Sequence, residues 1–323
     1  MNYRRFGRLD WQVSEIGYGM WGMGSWSGSD DSESMQSLAT ALELGCNFFD
    51  TAWVYGDGHS ERLLGHLLRE FPDHRIYVAT KIPPKNMRWP ARPEYELDDT
   101  FPPDHIERYL NHSLENLGVE RFDLIQLHVW EDRWLEDDRW IRTLEDLRSQ
   151  GLFDGIGISL NTREPWNGVH AVRSGLIDSV QVVYNLFDQN PEDELLPACV
   201  DNDVAVIARV PFDEGSLTGK LTADSRWPDG DWRNLYFTPE NLAATLQRVE
   251  PLRQLVPEGE TMAGLALRFI LAHEAVSAVI PGMRKLEHVH ANCTASLRDP
   301  LPAALLEELR GHRWVRKPAP GDE

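Results

Sequence analysis

Cysteine, lysine and long apolar runs are what this chain has least of. Its 323 residues include three cysteines, Cys46, Cys199 and Cys293, none in a CxxC pair or at a metal-ligand spacing. That argues against a disulfide framework and a cysteine metal site, and it fits a reducing compartment. No stretch approaches the roughly 20 apolar residues of a membrane span. The opening MNYRRFGRLDW also lacks the apolar core of a signal peptide. A cytoplasmic protein with no membrane role is expected. Basic residues are in deficit, 32 against 52 acidic, for a formal net charge of −20. Such a field repels phosphate backbones, so nucleic acid is not an expected partner, and an anionic ligand needs a local basic cluster. No internal repeat, low-complexity tract or linker interrupts the chain, and residues 1–323 read as one domain.

What is present is a rhythm. Strand-like runs at residues 15–20, 47–50, 77–81, 124–128, 155–159, 179–184, 205–210 and 278–281 alternate with segments of helical apolar spacing. The helical segments include 35–44, 61–68, 106–117, 140–147, 166–174, 195–201, 242–255 and 263–273. Eight strands alternating with helices predict an α/β fold with a parallel sheet, and their number favours a closed (β/α)8 barrel of the TIM type. Residues 3–6 and 11–13 flank a turn and predict an N-terminal β-hairpin. Two long loops, 82–101 and 215–238, follow strands and are therefore expected on the C-terminal face, where barrel active sites lie.

Four polar residues stand at or just past strand ends on that face: Asp50, Tyr55, Lys81 and His128. Singly, each has a bland reading as a cap or packing residue. Lysine is scarce, five in the whole chain, which gives the placement of Lys81 more weight. Together the four make a proton donor. A tyrosine ordinarily titrates near 10, too high for efficient proton transfer, and an adjacent ammonium is expected to lower it. A carboxylate keeps the ammonium charged, and histidine orients a bound carbonyl. The set contains no evident nucleophile, metal site or electron source. It suits protonation of an oxygen that turns negative as hydride arrives from a cofactor.

The segment DTAWVYGDGHSERLLGHLL at residues 50–68 resembles a signature of the aldo-keto reductase superfamily. ATK at 79–81, LIQLH at 124–128, GIGISL at 155–160, ARVPFDEGSLTGK at 208–220 and VIPGMRK at 279–285 follow in the expected order. The resemblance covers nearly the whole chain. It implies a barrel enzyme that reduces an aldehyde, ketone or keto-sugar to an alcohol with NADP(H), with Tyr55 as general acid. By the same resemblance Lys81 and Asp50 assist Tyr55, and Ser159 and Gln181 hold the nicotinamide carboxamide. Leu160 stands where the family has Asn, with Asn161 as the neighbouring amide. Arg209 replaces a stacking tyrosine, and its planar guanidinium suits that role. Met20, Trp21, Asp50 and Pro211 are implied near the cofactor, and Leu217, Gly219 and Lys220 over its pyrophosphate. Gly282, Arg284 and Lys285 are implied at the 2′-phosphate, His288 and Asn292 at the adenine. Trp21, Trp53 and Trp130 join Tyr55 and His128 as the expected substrate wall. The GMWGMG run at residues 19–24 lacks the GxGxxG spacing of a dinucleotide fingerprint and reads as a tight turn.

Two rival functions remain. One is a barrel lyase with Lys81 as a Schiff-base nucleophile, but that chemistry wants a lowered pKa, which a neighbouring Asp50 opposes. A nucleotide-sensing subunit of another protein is the second, and an unsubstituted tetrad favours catalysis over it. The specific carbonyl and the oligomeric state are not legible.

Overall fold

The computed structural model describes residues 1–24 and 29–316, so the expected domain of 1–323 reaches past the described residues at its C-terminal end. Tyr3–Phe6 (β1) and Trp11–Ser14 (β2) pair antiparallel as the predicted hairpin. Eight strands follow: Tyr18–Gly19 (β3), Phe48–Asp50 (β4), Tyr77–Ile82 (β5), Leu124–Leu127 (β6), Gly155–Ser159 (β7), Ser179–Val183 (β8), Ala205–Arg209 (β9) and Val276–Val279 (β10). They hydrogen-bond in chain order, all parallel. The ring closes where Ile16 bridges Val279 and Gly19 bridges Gly282, with Gly17 N–H on the Val279 carbonyl at 2.8 Å. This is the expected (β/α)8 barrel.

Alternation along each strand decides what the barrel contains. Phe49, Val78, Ile125, Ile156, Ile158, Val180 and Val206 join the layer between barrel and helices. Their neighbours turn inward. Phe48, Tyr77, Ala79, Leu124, Ala205, Ile207, Ala278 and Ile280 form a separate apolar cluster, closed by Phe6 and Val13 of the hairpin. The hairpin therefore plugs the N-terminal end of the barrel. Its turn seats on the strand β9 entrance: Arg8 N–H donates to the Asp203 carbonyl at 2.8 Å. A Cβ on Gly7 (φ +47°) would lie 2.6 Å from Ala205 N, so the seat requires glycine. Two residues further along the same inward rows come Asp50, Lys81, Gln126, Ser159, Gln181 and Arg209. The sequence thus lays an apolar floor beneath a polar rim.

Helices His59–Glu70, Pro103–Leu117, Arg139–Ser149, Pro239–Gln254 and Met262–Leu271 cover the outside, each near an expected segment. The helix expected at 166–174 starts only at Val169, after Gly168. Helices Leu286–Ala295, which carries His288 and Asn292, and Ala303–Arg310 follow β10. The two long loops carry structure of their own. Residues 82–101 contain the short helix Leu97–Thr100 and bury Ala91, Leu97 and Phe101. Residues 215–238 contain Arg233–Tyr236, and their Tyr236 and Phe237 form a small cluster with Leu242 of the helix Pro239–Gln254.

Candidate active site

Lys81, at the end of β5, is fully buried, and its Nζ donates to Asp50 Oδ1 at 2.5 Å, to the Thr51 carbonyl at 2.7 Å and to Tyr55 Oη at 3.4 Å. Three donors meet three oxygens. The other carboxylate oxygen of Asp50 accepts from Gln181 Nε2 at 2.8 Å and Gln126 Nε2 at 3.1 Å. Gln126 was missed in the sequence because it lies inside LIQLH rather than at its end. Register puts Gln126 beside Lys81 and Gly157. A Cβ on Gly157 would fall 3.0 Å from Gln126 Cγ and 2.4 Å from Ser179 Oγ, so glycine leaves the amide its room.

Tyr55 is carried by a tight turn after β4, with Tyr55 N–H on the Ala52 carbonyl at 3.1 Å and Gly58 N–H on the Trp53 carbonyl at 2.6 Å. Gly24, the last residue of the GMWGMG run, packs on this turn: a Cβ there would sit 2.7 Å from the Tyr55 carbonyl carbon. Next in the motif, Ser60 and Glu61 are scaffold rather than chemistry. Ser60 Oγ accepts from Thr51 Oγ1 at 2.8 Å, and Glu61 accepts from Thr80 Oγ1 at 2.6 Å, tying the helix His59–Glu70 to the strand residue before Lys81.

Burial alone would lower the Lys81 ammonium, but Asp50, with Tyr55, outweighs it and holds the pKa above the ordinary lysine value. The phenol differs from expectation. Burial raises Tyr55 more than the Lys81 charge lowers it, and Asp50 adds to the rise, so the group sits above its ordinary value. Tyr55 is therefore firmly protonated at neutral pH, the form an acid needs. Burial, followed by the charges of Lys81 and Arg209, pushes His128 well below the ordinary imidazole value, leaving it neutral. Its ring meets Tyr55 edge-on at 5.8 Å, and its Nδ1 is buried without a hydrogen-bond partner among the described residues. A lysine held charged, with its protons given to three oxygens, has no lone pair for carbonyl attack, which argues against the lyase reading.

The sequence profile of the Aldo/keto reductase family matches residues 15–313. The chain belongs to the aldo/keto reductase family. It is 28% identical to the NADH-specific methylglyoxal reductase of Escherichia coli over 90% of this chain and 91% of that one. It is equally 28% identical to the aldo-keto reductase yakc [NADP(+)] of Schizosaccharomyces pombe, over 92% and 88%. A solved glycerol dehydrogenase of Gluconobacter oxydans superposes with a TM-score of 0.80 at 27% identity, over 96% and 94% of the two chains. The chain is an oxidoreductase of a family that binds nicotinamide cofactors and acts on small molecules. Among the described residues no helix is long and apolar enough to cross a membrane.

The remaining rim of this aldo/keto reductase divides into side chains that face the mouth and side chains that do not. Ser159 ends β7 opposite Gln181, and its hydroxyl makes no hydrogen bond among the described residues. Arg209 donates to the Leu160 carbonyl at 3.0 Å, and its buried Nε has no partner among the described residues. Asn292 is 4% exposed, and its Nδ2 likewise has no partner among the described residues. Arg284 is half-buried and donates to the Gly22 carbonyl at 3.3 Å, and Lys285 and Lys220 are exposed. Burial first, and then the charges of Lys220, Lys285 and Arg284, hold His288 below the ordinary imidazole value, so these cations gather around one spot. Met20 and Leu217 are fully buried and Pro211 is buried, so the side chains of Met20 and Leu217 belong to the core and only their backbones are available to a ligand. Asn161 is not a spare amide for a cofactor. Its Oδ1 accepts from Ala91 N–H at 3.0 Å and its Nδ2 donates to the Ala91 carbonyl at 3.2 Å, pinning the 82–101 loop.

The aromatic wall needs correction. Trp130 is fully buried, with its ring against Trp134 and Trp140 at 5.7 and 5.0 Å, so it has no surface to offer a substrate. Trp53 packs edge-on to Tyr109 at 4.8 Å, which ties it to the helix Pro103–Leu117. Trp21 stands at the mouth, 43% exposed. The indole that reaches His128 is Trp89, edge-on at 5.6 Å and 41% exposed, carried there by the 82–101 loop.

Proposed function

We propose that this aldo/keto reductase is a cytoplasmic, single-domain enzyme that reduces an aldehyde, ketone or keto-sugar carbonyl with NADP(H), using Tyr55 as general acid. The observation that carries the reading is the buried Lys81, bonded at once to Asp50 and Tyr55 at the one open end of the barrel. The residues present fit the cofactor. Unpartnered buried nitrogens on Arg209 and Asn292 call for an acceptor, and a Cβ on Gly282 would meet nothing within 4 Å. Ser159 and Gln181 would hold the carboxamide and Arg209 would stack on the ring. Leu217 and Gly219, through their backbones, and the Lys220 charge would cover the pyrophosphate. Arg284 and Lys285 would take the 2′-phosphate, with His288 and Asn292 at the adenine. When bound, the reduced nicotinamide supplies the hydride. Tyr55 gives its proton to the carbonyl oxygen as that oxygen becomes negative. Lys81 then stands beside the phenolate and stabilises it, Asp50 keeps Lys81 charged, and neutral His128 orients the carbonyl by hydrogen bonding. Trp21 and Trp89 would line the substrate's path.

The relatives carry both cofactor specificities in their names, so the choice of NADP(H) rests on this chain's own residues. Lys220, Arg284 and Lys285 make the local basic cluster that a −20 chain needs to hold a phosphate. Three buried, unpaired cysteines support a reducing compartment. The test is a panel of aldehydes, ketones and keto-sugars with NADPH and, separately, NADH, followed by nicotinamide absorbance. Turnover with NADPH on some carbonyl supports the reading. No oxidation of either cofactor by any carbonyl, or turnover only with NADH, counts against it.

A further inference from the structure

The residues after β9 hold an unusual backbone. Val210, Asp213 and Glu214 all lie at positive φ, +55°, +45° and +55°, and Gly215 follows at +102°. A left-handed conformation is costly for any residue with a Cβ, and most of all for a β-branched one. The segment is the one read above as the cover over the cofactor's pyrophosphate. Something must hold it, because the local backbone preference opposes it. At the first residue the hold is Asn185, fully buried, whose Nδ2 donates to the Val210 carbonyl at 3.0 Å.

At the bend the hold comes from the far end of the chain. Asp213 is 1% exposed, and its carboxylate accepts from Ser216 Oγ, Tyr236 Oη and Arg316 Nη2, each at 2.5 Å. Arg316 is itself 5% exposed, and its guanidinium lies over the rings of Tyr236 at 4.6 Å and Trp314 at 4.4 Å. Trp314 is anchored in turn, by its N–H on the Phe187 carbonyl at 2.9 Å and its ring edge-on to Phe187. The C-terminal segment, 103 residues further along the chain, thus reaches back to clamp the bend. Arg316 touches none of the residues of the tetrad.

We infer that Arg316 is a positioning residue for the cofactor, a clasp that keeps the 210–219 cover in its strained, closed shape before any ligand arrives. The inference rests on the cofactor site proposed above. A cover formed in advance costs the ligand little ordering entropy on binding, so losing the clasp transfers that cost to the binding step. The effect falls on cofactor affinity and residence and leaves hydride transfer alone. Arginine is needed for the stacking half of the contact, since lysine supplies the charge but not the planar group that lies over Tyr236 and Trp314.

The experiment measures the NADPH Kd by fluorescence quenching and its dissociation rate by stopped flow, with single-turnover hydride transfer at saturating NADPH recorded in parallel. Circular dichroism checks that each variant is folded at the temperature used. Arg316→Met is expected to raise Kd about tenfold or more, the scale of one lost charge-assisted hydrogen bond. The rise should lie in the dissociation rate, with hydride transfer within twofold of wild type, and Arg316→Lys should fall between. Arg316→Met leaves Asp213 as a buried charge, so the pair Arg316→Met with Asp213→Asn serves as a second variant free of that imbalance. It should show the same weakened binding. A Kd within twofold of wild type in any folded Met variant overturns the clasp, as does a slowed hydride step at unchanged Kd. If wild type binds neither NADPH nor NADH, the cofactor reading itself fails, and that result is distinct from a failure of Arg316.

Discussion

Gln181 reaches across the barrel to Asp50, its Nε2 2.8 Å from Oδ2. The two residues stand on β8 and β4, four places apart in a ring of eight, and so on opposite walls. The carboxylate is therefore located by both sides of the barrel, with Lys81 on one oxygen and two amides on the other. Gln181 also belongs to the proposed nicotinamide site, so on that proposal the proton-donating and hydride-donating halves of the site share one hydrogen-bond network.

Replacing Tyr55 by phenylalanine removes the acid and little else. General acid–base catalysis contributes about 10²–10⁴-fold, so kcat for carbonyl reduction should fall by that range. Cofactor titration should give an NADPH Kd close to wild type. A variant that keeps more than about a tenth of wild-type kcat would remove Tyr55 from the role.

Lys81→Met should act through pH as well as rate. Under the proposed mechanism the Tyr55 phenolate is the base in alcohol oxidation, and Lys81 pulls the phenol down against burial. Without that charge the phenol rises further, and the ascending, low-pH limb of the oxidation profile moves to higher pH. Stability should suffer too, by about 3–5 kcal/mol, because Asp50 loses the cation of a buried pair. Linkage adds a sign. Lys81 is raised on folding, so the pair's contribution is intact below the ordinary lysine value near 10.4 and fades only as pH climbs through the higher folded value. Denaturant titrations from pH 7 to 9 should find it unchanged. An unmoved oxidation profile in Lys81→Met would contradict the assignment.

His128 predicts the opposite direction. Its folded pKa is depressed by burial, so its contribution to stability is complete above the ordinary imidazole value near 6.5 and is lost as pH falls towards the folded value. Melting curves between pH 7 and 5 should show wild type losing stability faster than His128→Gln. Equal slopes would mean that His128 takes up its proton as readily in the folded protein as in the unfolded chain, against the depressed value.

On the proposed reading, the cofactor preference turns on Arg284. A charge-assisted hydrogen bond contributes roughly 1.5–3 kcal/mol, so Arg284→Ala should weaken NADPH by about 10- to 150-fold. NADH lacks the 2′-phosphate and should bind as before. Kd values for both cofactors in both proteins decide it, and equal weakening of the two would sink the assignment.

Much of this was legible in the sequence because strand periodicity and chemistry coincide. A polar residue ending an apolar strand, as Asp50 and Lys81 do, is both an inward position and a rim position in any barrel. Legibility stopped where the chain leaves the strands. Trp130 stands two residues beyond His128, and nearness in sequence suggested the mouth, but the next turn folds back and buries its ring on Trp134 and Trp140. Trp89 was hidden in a loop whose path depends on contacts with Asn161, 70 residues away in the chain. Gln126 escaped notice because nothing local separates a mid-strand amide that holds a carboxylate from one that packs. The Tyr55 pKa was misjudged in direction because the charge of Lys81 is written in the sequence and the depth of burial is not.

The hairpin plug has a consequence for the proton inventory. Phe6 and Val13 close the barrel floor over Phe48, Leu124, Ile207 and Ile280, all aliphatic or aromatic and all buried. Among the described residues the hydroxyl in that cluster is on Tyr77, and it makes no hydrogen bond to Asp50, Lys81 or Tyr55, so the floor offers no hydrogen-bonded chain along which a proton could hop. Each turnover under the proposed chemistry leaves Tyr55 one proton short, and the replacement must come from the same mouth through which substrate enters and alcohol leaves. Reprotonation is therefore tied to product departure, and a solvent deuterium effect on the reaction should report on the traffic at that mouth as well as on the transfer itself.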